Sequence, residues 1–246
     1  TGMIPILLRE NYKDDSRYSN IKTMYTIHNL QYQGVFSNKN LDDVLSIPRW
    51  YLDEGHIEYY GGINFMKAGI VYSDKVSTVS PTYSQEIQTS YYGENLDGLI
   101  RANSHKLKGI VNGIDYEINN PSTDKNIVCN YDVESIDNKI NNKLELQKIL
   151  GLELNPEIPM IGIVSRLVSQ KGLDLLSYMM PELVDEDIQL VVLGTGEEQY
   201  QSMLNYYASK YPNKVAAILT FDSALAQQIY ASSDMFLMPS LFEPCG

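Results

Sequence analysis

The sequence predicts an α/β fold built on parallel sheets, and three observations predict it. Four apolar segments in the second half, residues 160–165, 188–193, 215–219 and 235–238, read as strands. Each is followed by a polar turn or one marked by glycine or proline, and the first three then run into helical patterns. Strands alternating with helices imply a parallel sheet. The unusual residues stand where those strands end: Arg166 and Lys171, Gly194-Thr195-Gly196, Asp222, and Phe242-Glu243-Pro244-Cys245-Gly246. Open sheets of this kind bind ligands outside the carboxyl ends of their strands, so these turns are expected to line one crevice.

The elements before that sheet follow in chain order. Residues 1–8 are apolar and read as helix, whereas 10–20 are polar and read as loop. Residues 22–27 favour a strand that ends at His28-Asn29, which puts His28 at a carboxyl end. Residues 41–47 and 50–56 carry short helical patterns separated by Pro48. Gly61-Gly62 breaks the chain before 64–72, where Phe65, Ala68, Gly69 and Tyr72 fall at helical spacing. Residues 75–79 read as a strand. Ser80-Pro81 then starts a helix running to about Ser90, because serine caps orphan amides and proline tolerates the first turn. Residues 91–98 form a glycine-bearing loop, and 108–111 a short strand ending at the turn signal Asn112-Gly113. Residues 121–130 read as irregular connection. Val133, Ile136, Ile140 and Leu144 then predict a helix over 133–150 with one apolar face, stopped by Gly151. No internal repeat or low-complexity tract appears, which leaves two α/β portions with a seam near 108–115.

A chain of 246 residues is long enough for one large domain or two of ordinary size. Its 43% hydrophobic residues suffice for a core, and 20% charged residues do not read as disorder. A formal charge of −12 argues against nonspecific attraction to nucleic acid phosphates or anionic lipid. An anionic ligand must therefore be held by a few placed cations. Cys129 and Cys245 are too few for a disulfide scaffold or a four-thiolate metal site. With no secretory pattern and no membrane-length apolar run, the expectation is a soluble protein of a reducing compartment.

The residues that carry chemistry each admit more than one reading. Arg166 and Lys171 lie five positions apart in a strand-to-helix loop. Guanidinium, ammonium and helix N-terminal amides converging there would hold a phosphate, each charged hydrogen bond contributing roughly 1.5–3 kcal/mol. The alternative is a pair of solvated surface cations. Gly194-Thr195-Gly196 either lets backbone approach a ligand or is a structural turn. Gln199 occupies the place of the third glycine of a dinucleotide fingerprint, so nicotinamide-dependent chemistry is poorly supported. Glu243 is either an acceptor for sugar hydroxyls or a surface acid beside a tight turn. Cys245 reads as a packing residue, His28 as a sugar partner or a satisfied strand end, and Asn112 as a sugar contact or the cap of its own turn. None of these residues fixes a function alone.

Their ensemble has a more specific likeness. Thr26-Ile27-His28-Asn29-Leu30-Gln31-Tyr32-Gln33-Gly34, Lys67-Ala68-Gly69 running on to Val79-Ser80-Pro81-Thr82-Tyr83, Leu96-Asp97-Gly98-Leu99 and Val111-Asn112-Gly113-Ile114-Asp115 resemble successive blocks of bacterial glycogen synthases and plant starch synthases. So do Ser165-Arg166-Leu167 through Gln170-Lys171-Gly172-Leu173-Asp174, and the block Pro239 to Gly246. Against that pattern, Asn95 replaces the glycine usual before Leu-Asp-Gly, and the family's N-terminal lysine-glycine-glycine loop is unmatched. The expectation is thus a stretch truncated at both ends.

The resemblance implies a GT-B fold, two Rossmann-like domains with parallel sheets facing a cleft, both incomplete. Residues 1–110 would be the later part of the acceptor-side domain, and 111–246 the hinge and first part of the donor-side domain. The implied reaction transfers glucose from ADP-glucose to the nonreducing end of an α-1,4-glucan, with retention and release of ADP. Another sugar-nucleotide GT-B transferase, or a non-catalytic α-glucan-binding remnant, are the competing readings. Carried over by motif, Arg166 and Lys171 bind the diphosphate, and Glu243 holds the donor glucose with Cys245 and Gly246 beside it. His28 and Asn112 would contact the same sugar; His28, Arg166, Lys171 and Glu243 make the catalytic set, and Asn29, Gly194, Thr195, Gly196 and Asp222 complete the substrate-binding one. No metal and no cofactor is implied, ADP-glucose being a substrate. Neither nucleic acid nor membrane is an implied partner. The implied address is the bacterial cytoplasm, with a plastid as the other option.

Overall fold

The structure is a computed structural model describing residues 1–245, and it divides into two compact units. One comprises Thr1–Gly113 together with Pro244 and Cys245; the other is Ile114–Glu243.

The first unit opens with helix α1 (Ile4–Tyr12), which continues beyond the expected boundary into the polar residues. Strand β1 (Met24–Ile27) follows, then β2 (Val35–Ser37), a π-helical turn (Leu41–Leu45) and the short helix α2 (Trp50–Asp53). Strands β3 (Glu58–Tyr59) and β4 (Gly62–Asn64) lead into α3 (Phe65–Tyr72), β5 (Lys75–Thr78), α4 (Pro81–Glu86), α5 (Asp97–Ala102) and β6 (Leu107–Gly109). β1, β5 and β6 form a parallel sheet in the order β1-β5-β6. The cap read from the sequence is built as expected, Ser80 Oγ accepting the Tyr83 amide, and the structure adds a second, Asn64 Oδ1 accepting the Lys67 amide. The α4 helix ends at Glu86, earlier than the expected Ser90.

A second sheet, antiparallel in the order β2-β4-β3, is absent from the sequence reading. Its strands are two or three residues long, too short to show alternation. Gly61-Gly62 does not simply break the chain. Tyr60 and Gly61, both at positive φ (47° and 84°), form a two-residue hairpin loop, and Gly62 already belongs to β4. Asn95, where glycine is usual, likewise sits at φ 62°, a left-handed conformation that asparagine tolerates better than most residues.

The second unit contains α6 (Lys139–Leu150), β7 (Met160–Val164), α7 (Leu173–Asp185), β8 (Gln189–Leu193), α8 (Glu198–Lys210), β9 (Val215–Ile218), α9 (Ser223–Ser232) and β10 (Met235–Phe236). Its sheet is parallel throughout, in the order β10-β7-β8-β9. All five residues of β8 are buried, as its near-continuous apolar run requires of an inner parallel strand covered on both faces. Leu173, Leu176 and Met180 of α7 and Tyr200 and Leu204 of α8 pack with Leu190 and Val192 in one cluster. Leu146 of α6 and Ile229 of α9 pack with Val191 and Leu193 in another.

Helix α6 corrects the pattern expected of it. It starts at Lys139 after a 3-10 turn, and Val133, Ile136 and Ile140 are exposed. The buried face is Asn142, Lys143, Leu146 and Gln147. Those polar side chains are tethered rather than orphaned. Asn142 Oδ1 accepts the Val128 and Cys129 amides, Lys143 Nζ bonds Pro156 O and Asp234 Oδ2, and Gln147 Nε2 bonds Asn155 O and Gln189 Oε1. A face chosen by hydrogen bonding carries no hydrophobic periodicity to read. Among the described residues no helix is long and apolar enough to cross a membrane.

Candidate functional site

Beyond the carboxyl ends of β7, β8 and β9 the second unit has an open cavity of about 430 Å³. Arg166, Gly194, Thr195, Phe221, Asp222 and Tyr230 are among its lining residues. Its shape begins with two glycines. A Cβ on Gly194 would stand 1.8 Å from Ser165 O, and one on Gly196 would stand 2.1 Å from Leu167 O. Their bareness lets the loop after β8 lie directly on the loop after β7. Leu167 N then donates to Thr195 O at 2.9 Å, and Glu197 N to Leu167 O at 2.8 Å. This strapping fixes the backbone that carries the exposed Arg166. Both glycines therefore serve loop packing, and Gly196 is not in the cavity lining.

Asp222 also has a structural duty. Its Oδ1 accepts the Leu225 amide at 2.9 Å as the N-cap of α9, while the residue lines the cavity. Phe221 beside it is 90% exposed, an aromatic ring left in solvent at the cavity rim.

Lys171 and Glu243 do not join that lining; they meet each other. Gly172, at φ 74°, has no room for a Cβ, which would stand 2.1 Å from Pro239 O. The segment after β10 is thereby laid against the turn Ser169–Lys171. Leu241 N donates to Gln170 O at 3.0 Å, and the buried Gln170 side chain donates from Nε2 to Phe242 O at 3.3 Å. On this frame Lys171 Nζ lies 2.5 Å from Glu243 Oε1, and Ser240 Oγ donates to the same oxygen at 2.6 Å. The two charged side chains are only 18% and 20% exposed. Asp174 supports the loop, accepting Ser169 Oγ at 3.0 Å and the Tyr200 hydroxyl at 2.8 Å. The single crevice expected for all the strand-end residues is thus divided between a cavity with Arg166 and an adjoining ion pair, because the carboxylate draws the ammonium to itself.

In the first unit His28 is exposed directly after β1. Its loop is held by the Leu30 amide donating to the Tyr83 hydroxyl at 3.0 Å and by Thr78 Oγ1 donating to Ile27 O at 2.8 Å. Asn29 Oδ1 accepts the Gln31 amide at 3.0 Å. Asn112 is exposed, and the chain runs through 110–115 with no turn at Asn112-Gly113. The next turn starts at Asp115, whose carboxylate takes the Glu117 and Ile118 amides. Cys245 is half-buried against the cluster containing Ile27, Val76 and Tyr83, the packing role read for it. Gly246 lies outside the described residues. Among the described residues no three His, Cys, Asp or Glu side chains gather as a metal site.

The sequence reading passed over Phe221 and Ser240. Phe221 was legible as the residue before the strand-end Asp222. Ser240 was legible as a hydroxyl three positions before Glu243, the spacing at which a short turn brings two side chains together.

Comparison with known proteins gives the following likenesses. A family model described as the starch synthase catalytic domain matches residues 1–102, and one described as glycosyl transferases group 1 matches residues 147–246. The chain is 67% identical over all 246 residues to glycogen synthase of Clostridioides difficile (strain 630), covering 51% of that protein. It is 56% identical to glycogen synthase of Clostridium acetobutylicum over its full length, covering 52% of that one. Among solved structures, the catalytic domain of starch synthase IV from Arabidopsis thaliana, bound to ADP and acarbose, matches with a TM-score of 0.93 at 31% identity. That match covers 100% of this chain and 51% of the other. The chain thus spans about half the length of the curated relatives it matches.

Proposed function

We propose that this chain, which belongs to the family of bacterial glycogen synthases and plant starch synthases and has the α/β GT-B fold, supplies the donor-handling part of a retaining glucosyltransferase. The reaction moves glucose from ADP-glucose to the nonreducing end of an α-1,4-glucan and releases ADP. One observation carries this reading: a cavity at the ends of β7, β8 and β9 offers a cation and an exposed aromatic ring, next to a lysine held by a carboxylate.

Each part has a chemical task. The face of Phe221 suits a nucleobase, since every base has a π-face to stack on. Arg166 suits a phosphate, which a planar guanidinium grips with two parallel hydrogen bonds. Lys171 exchanges Glu243 for the diphosphate and neutralises the charge that grows on departing ADP. Such neutralisation accelerates transfer because it is stronger in the transition state than in the ground state. Glu243, released from Lys171, accepts hydroxyls of the donor glucose. Gly194, Thr195 and Asp222 border the nucleotide through backbone and cap, and Gly196 supports their loop from outside the lining. In the first unit His28 and Asn112 are assigned to sugar hydroxyls, and Asn29 to substrate binding. No protein nucleophile is assigned, so the acceptor attacks on the face from which ADP leaves. The second unit is assigned the donor and the first unit the glucan acceptor; neither metal nor cofactor takes part. The proposed address is the bacterial cytoplasm.

Transfer of labelled glucose to glycogen by the whole protein tests this, with ADP-glucose and UDP-glucose as parallel donors. ADP-glucose should be the preferred donor. Preference for UDP-glucose would move the protein to another sugar-nucleotide transferase, and binding of glucan without turnover from either donor would make it a non-catalytic glucan binder.

A further inference from the structure

The ion pair raises a question that the assignment of Lys171 and Glu243 does not answer: what keeps the carboxylate in place once the ammonium turns to phosphate. Glu243 Oε1 accepts from Lys171 Nζ and from Ser240 Oγ, and the second bond spans three residues of the same segment. Ser240 itself is partly buried, and its segment is anchored from outside by the buried Gln170 at both Leu241 N and Phe242 O. The hydroxyl therefore sits on a fixed backbone, whereas the lysine is at the end of a flexible stem.

We propose that Ser240 is a positioning residue for glucosyl transfer, holding Glu243 toward the donor sugar after Lys171 has left it. The inference rests on the reading of Lys171 and Glu243 given above. Before the donor arrives, the carboxylate is held twice and Lys171 is masked from solvent anions. When the diphosphate takes the lysine, Glu243 loses a charge-assisted partner, and a glutamate with free torsions would scatter among rotamers. The Ser240 hydroxyl retains Oε1, leaving Oε2 and the remaining lone pairs of Oε1 for sugar hydroxyls. The sugar thus meets a carboxylate already oriented, and the ordering cost is not charged to the transition state. Ser240 touches neither donor nor acceptor in this scheme; it acts through Glu243.

The test is made in the whole protein with Ser240→Ala, Ser240→Thr and Glu243→Gln, measuring kcat, KM for ADP-glucose and the inhibition constant of ADP. S240A should lower kcat about tenfold, with ADP inhibition within about twofold of the parent, and S240T should restore most of the loss. A merely structural role would instead weaken ADP binding and kcat together and lower the melting temperature. Three results overturn the inference: kcat of S240A within about twofold of the parent, parallel loss of ADP affinity, or no rescue by threonine. E243Q separates the two levels. If it turns over normally, the site reading fails; if it is impaired while S240A is not, only the role of Ser240 fails.

Discussion

Lys171 Nζ stands 2.5 Å from Glu243 Oε1, so the lysine assigned to the phosphate and the carboxylate assigned to the sugar are partners before either ligand arrives. Under the proposed roles, phosphate binding and carboxylate release would be one event. Breaking a largely buried pair from one side leaves the other charge uncompensated, which costs more than losing an exposed ion pair.

Lys171→Ala should therefore cut turnover with ADP-glucose at least about 100-fold in the whole protein, by removing a cation that strengthens toward the transition state. Arg166→Ala should do the same, and both variants should retain the parent far-UV spectrum. Near-parent turnover in both would remove the phosphate assignment. Glu243→Gln should impair transfer more than ADP affinity, as expected of a group that faces the sugar.

Phe221→Ala should weaken ADP binding about tenfold, since stacking of one base on an aromatic ring contributes roughly 1–3 kcal/mol. Because Phe221 is 90% exposed, the folded state loses almost no packing, and the melting temperature should stay put. Unchanged ADP affinity would place the base elsewhere.

Gly172→Ala should destabilise the second unit by about 1–3 kcal/mol, measured by urea unfolding. The added Cβ meets Pro239 O at 2.1 Å, and the residue is at φ 74°. The same shift of Pro239 would loosen the frame beneath Glu243, so turnover should fall along with stability. Parent stability in this variant would mean that the segment after β10 yields without cost.

Much of this arrangement was legible before the structure. The four strands of the second unit show themselves because a parallel sheet covered on both faces needs runs of apolar residues, as in β8. The Ser80 cap follows from local chemistry alone. What escaped is what tertiary contacts decide. The β2-β4-β3 sheet has strands too short to carry a period, and α6 buries Asn142, Lys143 and Gln147 through hydrogen bonds to distant loops while Ile136 and Ile140 stay exposed. At the site, motif position indicated Arg166, Lys171 and Glu243, but no spacing rule joins residues 72 positions apart, so their pairing and the contact from Ser240 needed coordinates.

Acid should reveal Asp74. Its carboxylate accepts Thr23 N at 2.8 Å and Thr23 Oγ1 at 3.1 Å, tying the start of β1 to the start of β5. The Thr23 backbone amide above all, then the Thr23 hydroxyl and nearby Lys22, hold this carboxyl below its ordinary value. A depressed folded-state value stabilises the fold fully above the unfolded value, about 3.9, and that stabilisation is lost as pH falls through the folded one. Asp74→Asn should therefore flatten the acid limb of the stability curve as pH falls through and below the ordinary carboxylate range. Superimposable acid limbs would show that Asp74 contributes nothing there.

Calorimetric titration of this chain with ADP, UDP and inorganic phosphate, repeated with Arg166→Ala, addresses the donor site most directly. Preferential binding of ADP, weakened at least about tenfold by the substitution, is the outcome expected of a cavity that joins a base platform to a phosphate cation. Tighter binding of UDP than ADP, or ADP affinity indifferent to Arg166, would contradict the donor assignment.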